Sequence, residues 1–404
     1  MTHKTYLIFA AALVCAIANV ASAQTTSVFT TGLNRPSKII MTGQNNLLVA
    51  EGGTLVPNNG RISLVNGRSG ARQTLIDGLP SGLDPGGGAP APSGPAAMRL
   101  SGRKFYLVIG PGDNLLQNVG RGGVRPNPNP ASPIFASVLE ITLNADYEEN
   151  TSGFTLSMSD QTALKNGSTV TLTNAQAKQI NIRMPADLPD HRAERLGQPY
   201  LVRNANPFAA EIVGDDLYVV DSGFNSLYKI NLATGQFQTF AVFAPTPNPL
   251  PGGPPFVEAV PDNVRLYGNQ LLITYLTGFP FAANLAEVRS VNLSTGAQAT
   301  FIGGLTTAID VLPVPIPGDN DLFYTLEYST AFLAQPLGPG RLRLYTSPTA
   351  TPIVLAGNLT APTSLARNSE TGDLFVTEIL AGRITRIAAT ETAAAAPDTE
   401  DANQ

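Results

Sequence analysis

The chain has 404 residues, of which 14% are charged, and it contains 38 glycines and 33 prolines. This composition is typical of many short strands joined by turns and is unlike that of a helical protein. The formal net charge is −5, so the chain lacks the excess of basic residues that binds nucleic acid or anionic lipid. We therefore expect no nucleic-acid partner.

The first segment of the chain, residues 1–23, is predicted to be a secretory signal peptide. Lys4 precedes an apolar run, and the small residues Ala21-Ser22-Ala23 end the segment. The run is too short for a stable membrane-spanning helix, so we expect export to the periplasm or the cell exterior without membrane insertion. The only cysteine, Cys15, lies in this segment, which excludes disulfides and thiolate chemistry from the mature chain.

A repeated phrase runs through the rest of the chain: an apolar strand, a polar turn, a second apolar strand and often a closing carboxylate. Three clear copies are Pro36–Glu51, Pro207–Asp221 and Pro362–Glu378, and three weaker copies are Gly94–Asn114, Val260–Gly278 and Ile309–Glu327. A third strand follows most copies. The copies are mostly roughly 50 residues apart, which is a blade-like period, and blades contain about four antiparallel strands. The sequence therefore predicts an all-β fold, a six-bladed β-propeller.

The two ends of the chain predict how the ring of blades closes. A strand at 27–33 precedes the first copy, whereas the last copy stops after its third strand. The N-terminal strand would complete the last blade and remove an exposed strand edge. We predict one propeller domain over 24–387 and a disordered, alanine-rich, acidic tail over 388–404. One step between copies is about twice the usual length, which leaves open a seventh, degenerate blade near 150–185.

Proline- and glycine-rich stretches lie between the predicted strands and begin near Leu83, Val124, Ala244 and Val314. Because proline cannot donate to a sheet ladder, these stretches are connectors. They are either stiff and solvent-exposed or form the walls of a pocket over the central channel. The least repeat-like segment runs from about Asp146 to Arg203, and its portion Met184–Tyr200 is expected to form a short helix or a lid.

Four carboxylates close the second strand of their repeats: Glu51, Asp221, Glu327 and Glu378. If these strand ends converge at the channel mouth, the carboxylates would suit a divalent cation, Ca²⁺ or Mg²⁺, with Asn225 as a further oxygen ligand or ligand contact. The alternative is structural, because an acid at a strand end commonly accepts backbone N–H groups of the next turn.

Other residues that could carry chemistry are few. His191 is the only histidine after the signal segment, which excludes a three-histidine zinc site, and no Gly-x-Ser-x-Gly elbow supports a serine triad. Phe279 and Phe281 flank a proline in a predicted loop and are candidate ligand contacts, unless they pack between blades. Arg61 and Arg383 each open a third strand, where they would bind an anionic ligand or neutralise the acids.

Three phrases together resemble the ScyD/ScyE family of exported proteins. They are the blade Asn206-PFAAEIVGDDLYVVDSGFNSLYKIN, the loop Leu276-TGFPFAANLAEV and the opening blade Gly32-LNRPSKIIMTGQNNLLVAEGG. The likeness extends over the mature chain to about residue 387. It implies an exported propeller that binds or acts on a small aromatic or amino-acid-derived compound, and it carries over no catalytic residues.

Three functions are compatible with these residues, and whether the protein is an enzyme stays open. The favoured hypothesis is a monomeric binding propeller that holds a small molecule, a glycan or a protein on its loop-rich face. The second is a metal-assisted hydrolase or lactonase that uses the ring of acids. The third, a quinone-dependent sugar dehydrogenase, is the least favoured because His191 lies in an irregular segment.

Overall fold

The computed structural model describes residues 24–86, 90–118, 123–193 and 202–389. Six radial sheets surround a central axis, and their first strands contact one another in chain order, so the fold is a six-bladed β-propeller as predicted. The predicted signal peptide and residues 390–404 of the predicted tail lie outside the described residues. Ala388 and Ala389 are described, and their N–H groups are hydrogen-bonded to Thr25 and Asp373.

The blades are numbered in chain order, and each is given from its inner to its outer strand. Blade 1 consists of Pro36–Met41, Leu47–Glu51, Gly60–Val65 and Arg72–Leu79. Blade 2 consists of Pro95–Ser101, Lys104–Ile109, Ser137–Thr142 and Gln179–Asp187. Blade 3 consists of Pro207–Val213, Asp216–Asp221, Ser226–Asn231 and Phe237–Val242. Blade 4 consists of Pro261–Tyr267, Gln270–Tyr275, Ala286–Asn292 and Gln298–Leu305. Blade 5 consists of Ala308–Val314, Leu322–Glu327, Gly340–Tyr345 and Ile353–Leu359. Blade 6 consists of Pro362–Arg367, Leu374–Glu378, Arg383–Ile387 and Thr26–Thr31.

The N-terminal strand closes the ring, as the sequence predicts. Thr26–Thr31 pairs antiparallel with Arg383–Ile387 as the outer strand of blade 6. The rings of Phe29 and Phe375 meet edge to face with their centroids 4.9 Å apart. The last blade therefore joins the two ends of the domain, and Arg383–Ile387 does not form a free sheet edge.

The suggested seventh blade is wrong, because the long segment extends two existing blades. Val170–Thr173 and Gln179–Asp187 form the outer strands of blade 2, and Phe154–Thr155 pairs in parallel with the outer strand of blade 1. Between them lie a 3₁₀ turn, Tyr147–Glu149, and the one α-helix of the described residues, Met158–Lys165. Ser157 caps this helix by accepting the N–H of Asp160.

The short helix that was one of the two alternatives expected after Met184 is wrong over the part of it that the structure describes. Met184 lies in the strand Gln179–Asp187, and His191–Ala193 then pairs with Val202–Asn204 as a β-hairpin.

Apolar residues fill the spaces between blades. The second strands are buried on both faces, so they are nearly continuous apolar runs; every residue of Leu47–Glu51 and Leu374–Glu378 is buried. Burial of each such Leu, Val or Phe contributes about 1.5–3 kcal/mol. The polar residues that interrupt these inner strands therefore need specific partners.

The same β-bulge occurs at the start of the first strand in all six blades, where one extra residue faces the second strand. The extra residues are Ser37, Ala96, Phe208, Asp262, Ile309 and Thr363. Bulges change the direction in which a side chain points. Because the first strands surround the axis, the six bulges lie at one height around the mouth of the channel.

The two faces of the propeller differ. The face on which first strands begin carries four added β-hairpins, Gly82–Asp84 with Ala91–Ser93, Leu115–Gln117 with Val124–Pro126, His191–Ala193 with Val202–Asn204, and Thr246–Pro247 with Phe256–Val257. We call it the hairpin face. The opposite face, which we call the turn face, has short turns apart from the insertion in blade 2. No helix in the described ranges is long and apolar enough to cross a membrane.

Candidate functional site

The carboxylate of Glu51 is fully buried at the end of the second strand of blade 1. It accepts two hydrogen bonds from Arg61, each 2.8 Å long, one from Ser63 Oγ at 2.5 Å and one from the N–H of Asn34 at 2.5 Å. Arg61 is also its cross-strand neighbour. Glu51 thus holds together the first three strands of its own blade.

Glu327 and Glu378 repeat this arrangement in blades 5 and 6. Glu327 accepts the N–H of Thr306 and pairs with its cross-strand neighbour Arg341. Glu378 accepts the N–H of Thr360 and binds Arg383, with Nε 2.7 Å from Oε1. Burial alone would raise the pKa of Glu378, but these hydrogen bonds outweigh burial and lower the pKa.

Asp221 occupies the equivalent place in blade 3, where its cross-strand neighbour is Ser226 and not an arginine. Its Oδ1 accepts the N–H groups of Asn206 at 3.0 Å and Phe224 at 2.9 Å. Burial raises its pKa to about 6, although these N–H groups favour the charged form. All four acids therefore make the contacts of strand-end caps, and Arg61 and Arg383 are occupied by them.

The described residues do not form a cluster of ligands at the predicted metal site. Among the residues that the structure describes, no three histidine, cysteine, aspartate or glutamate side chains are placed to hold one ion together. Asn225 is 6% exposed, and its Oδ1 accepts the N–H of Val260 at 2.8 Å. The metal site stays a prediction, and the contacts of the acids favour its structural alternative.

A thermal scan separates the two interpretations. If the acids are caps, EDTA followed by Ca²⁺ or Mg²⁺ changes the melting temperature by less than about 1 °C, because no metal-binding energy is linked to folding. Melting that falls by several degrees in EDTA and recovers with one of these ions would establish a metal site instead.

The two predicted aromatic contacts have different surroundings. Phe279 is 55% exposed on the hairpin face. Phe281 stacks on Phe332 with ring centroids 4.0 Å apart, and the ring of Tyr328 follows at 5.7 Å from Phe332. His191 is exposed in its hairpin. The structure thus brings Phe281 into an aromatic group next to Tyr328, the residue that follows the capping acid of blade 5.

The central channel contains a buried lysine that the sequence analysis missed. Lys38 is 4% exposed, and its Nζ donates to the backbone carbonyl of Asp262 at 3.2 Å. The same nitrogen lies 4.5 Å from the ring centroid of Phe208. Because Lys38 belongs to blade 1 and Asp262 to blade 4, the lysine side chain crosses the axis of a six-bladed ring. Burial lowers its pKa to about 8.

The Asp262 side chain lies at the bulge of blade 4 and is 5% exposed. Ser222 Oγ donates to its Oδ1 at 2.8 Å. Burial raises the pKa of Asp262 to about 7, against the smaller opposing effects of Ser222 and the Lys38 charge. A lysine and an aspartate with such pKa values, facing a channel mouth, are typical of functional sites.

Further charged residues fill the channel beyond Lys38. Asp310 accepts hydrogen bonds from Asn263, from Ser364 Oγ at 3.1 Å and from the N–H of Leu365 at 2.9 Å, and it pairs with Arg265 at 3.3 Å. A second pair, Arg99 with Glu211 at 3.0 Å, links blades 2 and 3, and Arg99 also donates to the Val264 carbonyl of blade 4. These side chains fill the channel beyond Lys38, and we call the mouth above them, which the six bulges surround, the recess.

Arg35 and Tyr328 lie at the edge of this recess. Arg35 directly precedes the first strand of blade 1 and is half-buried, and burial lowers its pKa. Burial raises the pKa of Tyr328. The charge of Arg35 acts to lower this pKa, and the charge of Asp262 acts to raise it. Both charges therefore act on the Tyr328 hydroxyl, and Tyr328 packs with Phe208 against the cluster that includes Ile309.

The hairpins beside the recess are joined to one another. Asn204 Nδ2 donates to Asp84 Oδ1 at 2.9 Å, and Asn114 Nδ2 donates to Asp190 Oδ1 at 2.6 Å. Burial raises the pKa of Asp84 to about 6. Two open grooves of about 400 and 280 Å³ lie elsewhere, at the rim between blades 4 and 5. The buried cation in the larger groove, Arg343, is already 2.9 Å from Glu327.

The sequence contains a pattern from which the charged residues of the channel could be predicted. Lys38 and Asp310 are the third residues of their first strands, directly after the bulge, and Asp262 is the bulge residue of its own first strand. A polar residue at the same place in several copies of a repeat marks a shared position near the axis.

Comparisons with known proteins identify no family for this chain. No protein-family model matches the chain, and no curated protein matches it. The chain is similar to a structural genomics protein of unknown function from Bacteroides thetaiotaomicron VPI-5482, at 12% identity and a TM-score of 0.46, over 91% of this chain and 76% of that one. It is similar to streptogramin B lyase, at 12% identity and a TM-score of 0.43, over 90% and 96% of the two chains.

A third similar structure is the PQQ-bound form of aldose sugar dehydrogenase from Streptomyces coelicolor, at 15% identity and a TM-score of 0.42, over 91% and 99% of the two chains. These neighbours are β-propeller proteins. Identities this low carry no inference about activity. The resemblance to the ScyD/ScyE family stays a prediction.

The raised pKa of Asp262 predicts a pH-dependent stability. Burial raises this pKa from 3.8 to about 7, so the folded protein binds more protons than the unfolded chain between those values. The contribution of Asp262 to stability is therefore greatest at low pH and is lost as pH rises towards about 7. We expect Asp262→Asn to gain stability relative to the wild type between about pH 5 and pH 8 in urea titrations. A stability difference between the two proteins that stays constant over this pH range would contradict the expectation.

Proposed function

We propose that this protein is an exported β-propeller that binds a small molecule at the mouth of its central channel, on the hairpin face. One observation carries the proposal: the described hairpins all extend from the face on which the recess lies. Binding residues are commonly held on loops that a rigid scaffold positions. A recess above a channel filled with side chains suits a small molecule better than a glycan or a protein, the other partners that the sequence leaves open.

The residues around the recess support binding. Lys38 and Asp262 form its floor, Phe208 and Tyr328 add half-buried aromatic rings, and Arg35 adds a second cation. A mainly apolar pocket with a few converging polar groups is the usual form of a ligand site. No contact in the structure favours the metal-assisted hydrolase, which rests on the sequence alone.

Export, a monomeric state and membership of the ScyD/ScyE family belong to the same proposal. They rest on the small-residue cleavage site after Ala23, on the joining of the two ends of the domain within blade 6, and on the three phrases that resemble the family. A small aromatic or amino-acid-derived ligand is what that resemblance implies.

Equilibrium dialysis tests the proposal. The chain from Gln24 onward is dialysed against a small-molecule extract of the producing cells, and retained compounds are identified by mass spectrometry. We expect the wild type and the turn-face control Asp319→Asn to retain the same compound, and the double variant Phe208→Ala/Tyr328→Ala to lose it. Retention of nothing by the wild type, or equal retention by the double variant, would overturn the proposal.

A further inference from the structure

The chemistry of the recess begins with the Lys38 ammonium group. A lysine has three N–H donors, and Lys38 gives one to the Asp262 carbonyl while its charge faces the ring of Phe208. Within the described residues, no carboxylate oxygen lies within 4 Å of Nζ. A buried cation is normally paired with an anion, because burial of an unpaired charge is costly. Lys38 is thus suited to a ligand that brings a negative charge.

Arg35 adds a second cation from the same blade. Its Nε is buried and has no hydrogen-bond acceptor in the described part of the chain. Its backbone has a φ of 56°, which a non-glycine residue rarely adopts. The carbonyl of Arg35 accepts the N–H of Gly52 at 3.0 Å, which holds the turn in place. A planar guanidinium group matches the geometry of a carboxylate.

The remaining contacts are apolar. Phe208, Leu276 and Tyr328 are half-buried and pack against the cluster that includes Ile309 and Leu326. Phe208 and Ile309 occupy the bulge positions of blades 3 and 5, on either side of blade 4 at the mouth. These side chains offer an apolar body of a ligand a surface to contact while its charged end reaches the cations.

We propose that the recess binds a small organic carboxylate, whose charged end contacts Lys38 and Arg35 and whose apolar body contacts Phe208 and Tyr328. This inference rests on the proposed function and names the class of ligand that the site takes.

Two acidic side chains act on Lys38 and oppose the charge of such a ligand: Asp310, which is paired with Arg265, and Asp262 at the floor. Ser222 holds its Oδ1, and below pH 7 its raised pKa favours the neutral acid, which does not repel an anion. The groups whose charges act on Lys38 from the surrounding blades are Asp262, Asp310, Arg265 and Arg99. As pH rises, Asp262 becomes charged and Lys38 neutral, so both changes weaken the binding of a carboxylate.

Calorimetric titration of the chain from Gln24 onward tests the inference with two probes of similar shape, benzoate and neutral benzamide. At about pH 6 we expect the wild type to bind benzoate at least about tenfold more tightly than benzamide. Lys38→Met, which keeps most of the side-chain volume, should reduce benzoate affinity to that for benzamide. Asp319→Asn on the turn face should bind as the wild type does.

A second variant keeps the inference testable if Lys38→Met does not fold. If Lys38→Met fails to fold, Arg35→Gln at the edge of the recess should weaken benzoate at least about threefold and leave benzamide unchanged. Equal affinity of the wild type for the two probes, or unchanged benzoate binding in a folded Lys38→Met, would overturn the carboxylate inference. Dialysis that retains a neutral compound would overturn the carboxylate inference but support the channel mouth as a binding site. If dialysis retains nothing and neither probe binds, both proposals are overturned.

Discussion

Deletion of residues 24–31 is expected to lower the free energy of unfolding by about 5 kcal/mol, the sum of roughly 1 kcal/mol for each of several ladder hydrogen bonds and the burial of Phe29. The deleted strand pairs with Arg383–Ile387 and places Phe29 against Phe375. Its loss leaves blade 6 with three strands and exposes a strand edge, so we also expect association between copies. Urea unfolding and light scattering measure the two effects.

The matched control for this deletion is Val28→Thr in the same strand. Val28 is exposed, so its substitution should change the free energy of unfolding by no more than about 0.5 kcal/mol. A deletion protein that unfolds at the same urea concentration as the wild type and stays monomeric would contradict the role of this strand in closing the ring.

Asp310→Ala is expected to be the most damaging single substitution considered, at about 3–5 kcal/mol. Asp310 is fully buried and receives hydrogen bonds from blades 4 and 6 in addition to its pair with Arg265. Alanine would remove this carboxylate from the buried Arg265 guanidinium and from the donors of Asn263 and Ser364. Urea unfolding of the variant measures the loss.

The control here is an exposed ion pair, Lys165 with Asp187, whose atoms lie 2.5 Å apart. Both side chains are more than a third exposed, so Asp187→Ala should cost no more than about 1 kcal/mol. If Asp310→Ala were no more destabilising than Asp187→Ala, the charged residues of the channel would not hold the blades together.

The repeat pattern was sufficient to predict six blades and closure by the N-terminal strand, because both follow from the spacing of apolar strands. The segment near 150–185 was ambiguous for a physical reason. Val170 and Leu172 are buried and alternate with exposed threonines, and this alternation fits a new blade as well as an added strand. Only pairing with Gln179–Asp187 decides that the strand belongs to blade 2.

The candidate site was predicted less well, because equivalent positions in a repeat do not determine which way side chains point. The sequence placed Glu51, Glu327 and Glu378 at the ends of equivalent strands. It left open whether Arg61 and Arg383 bind a ligand or neutralise these acids, and the register of third strands that begin Gly-Arg decides for the acids. Lys38 and Asp262 were not predicted as site residues because they contact each other across the ring and belong to blades that are far apart in sequence.

The most direct test of the account is a crystal structure of the chain from Gln24 onward grown with 4-bromobenzoate, with data collected at the bromine absorption edge. The account predicts bromine density inside the recess next to Phe208 and Tyr328, with the carboxylate in contact with Lys38 Nζ. Bromine density confined to other surfaces, with the recess free of it, would contradict the assignment of the channel mouth as the binding site.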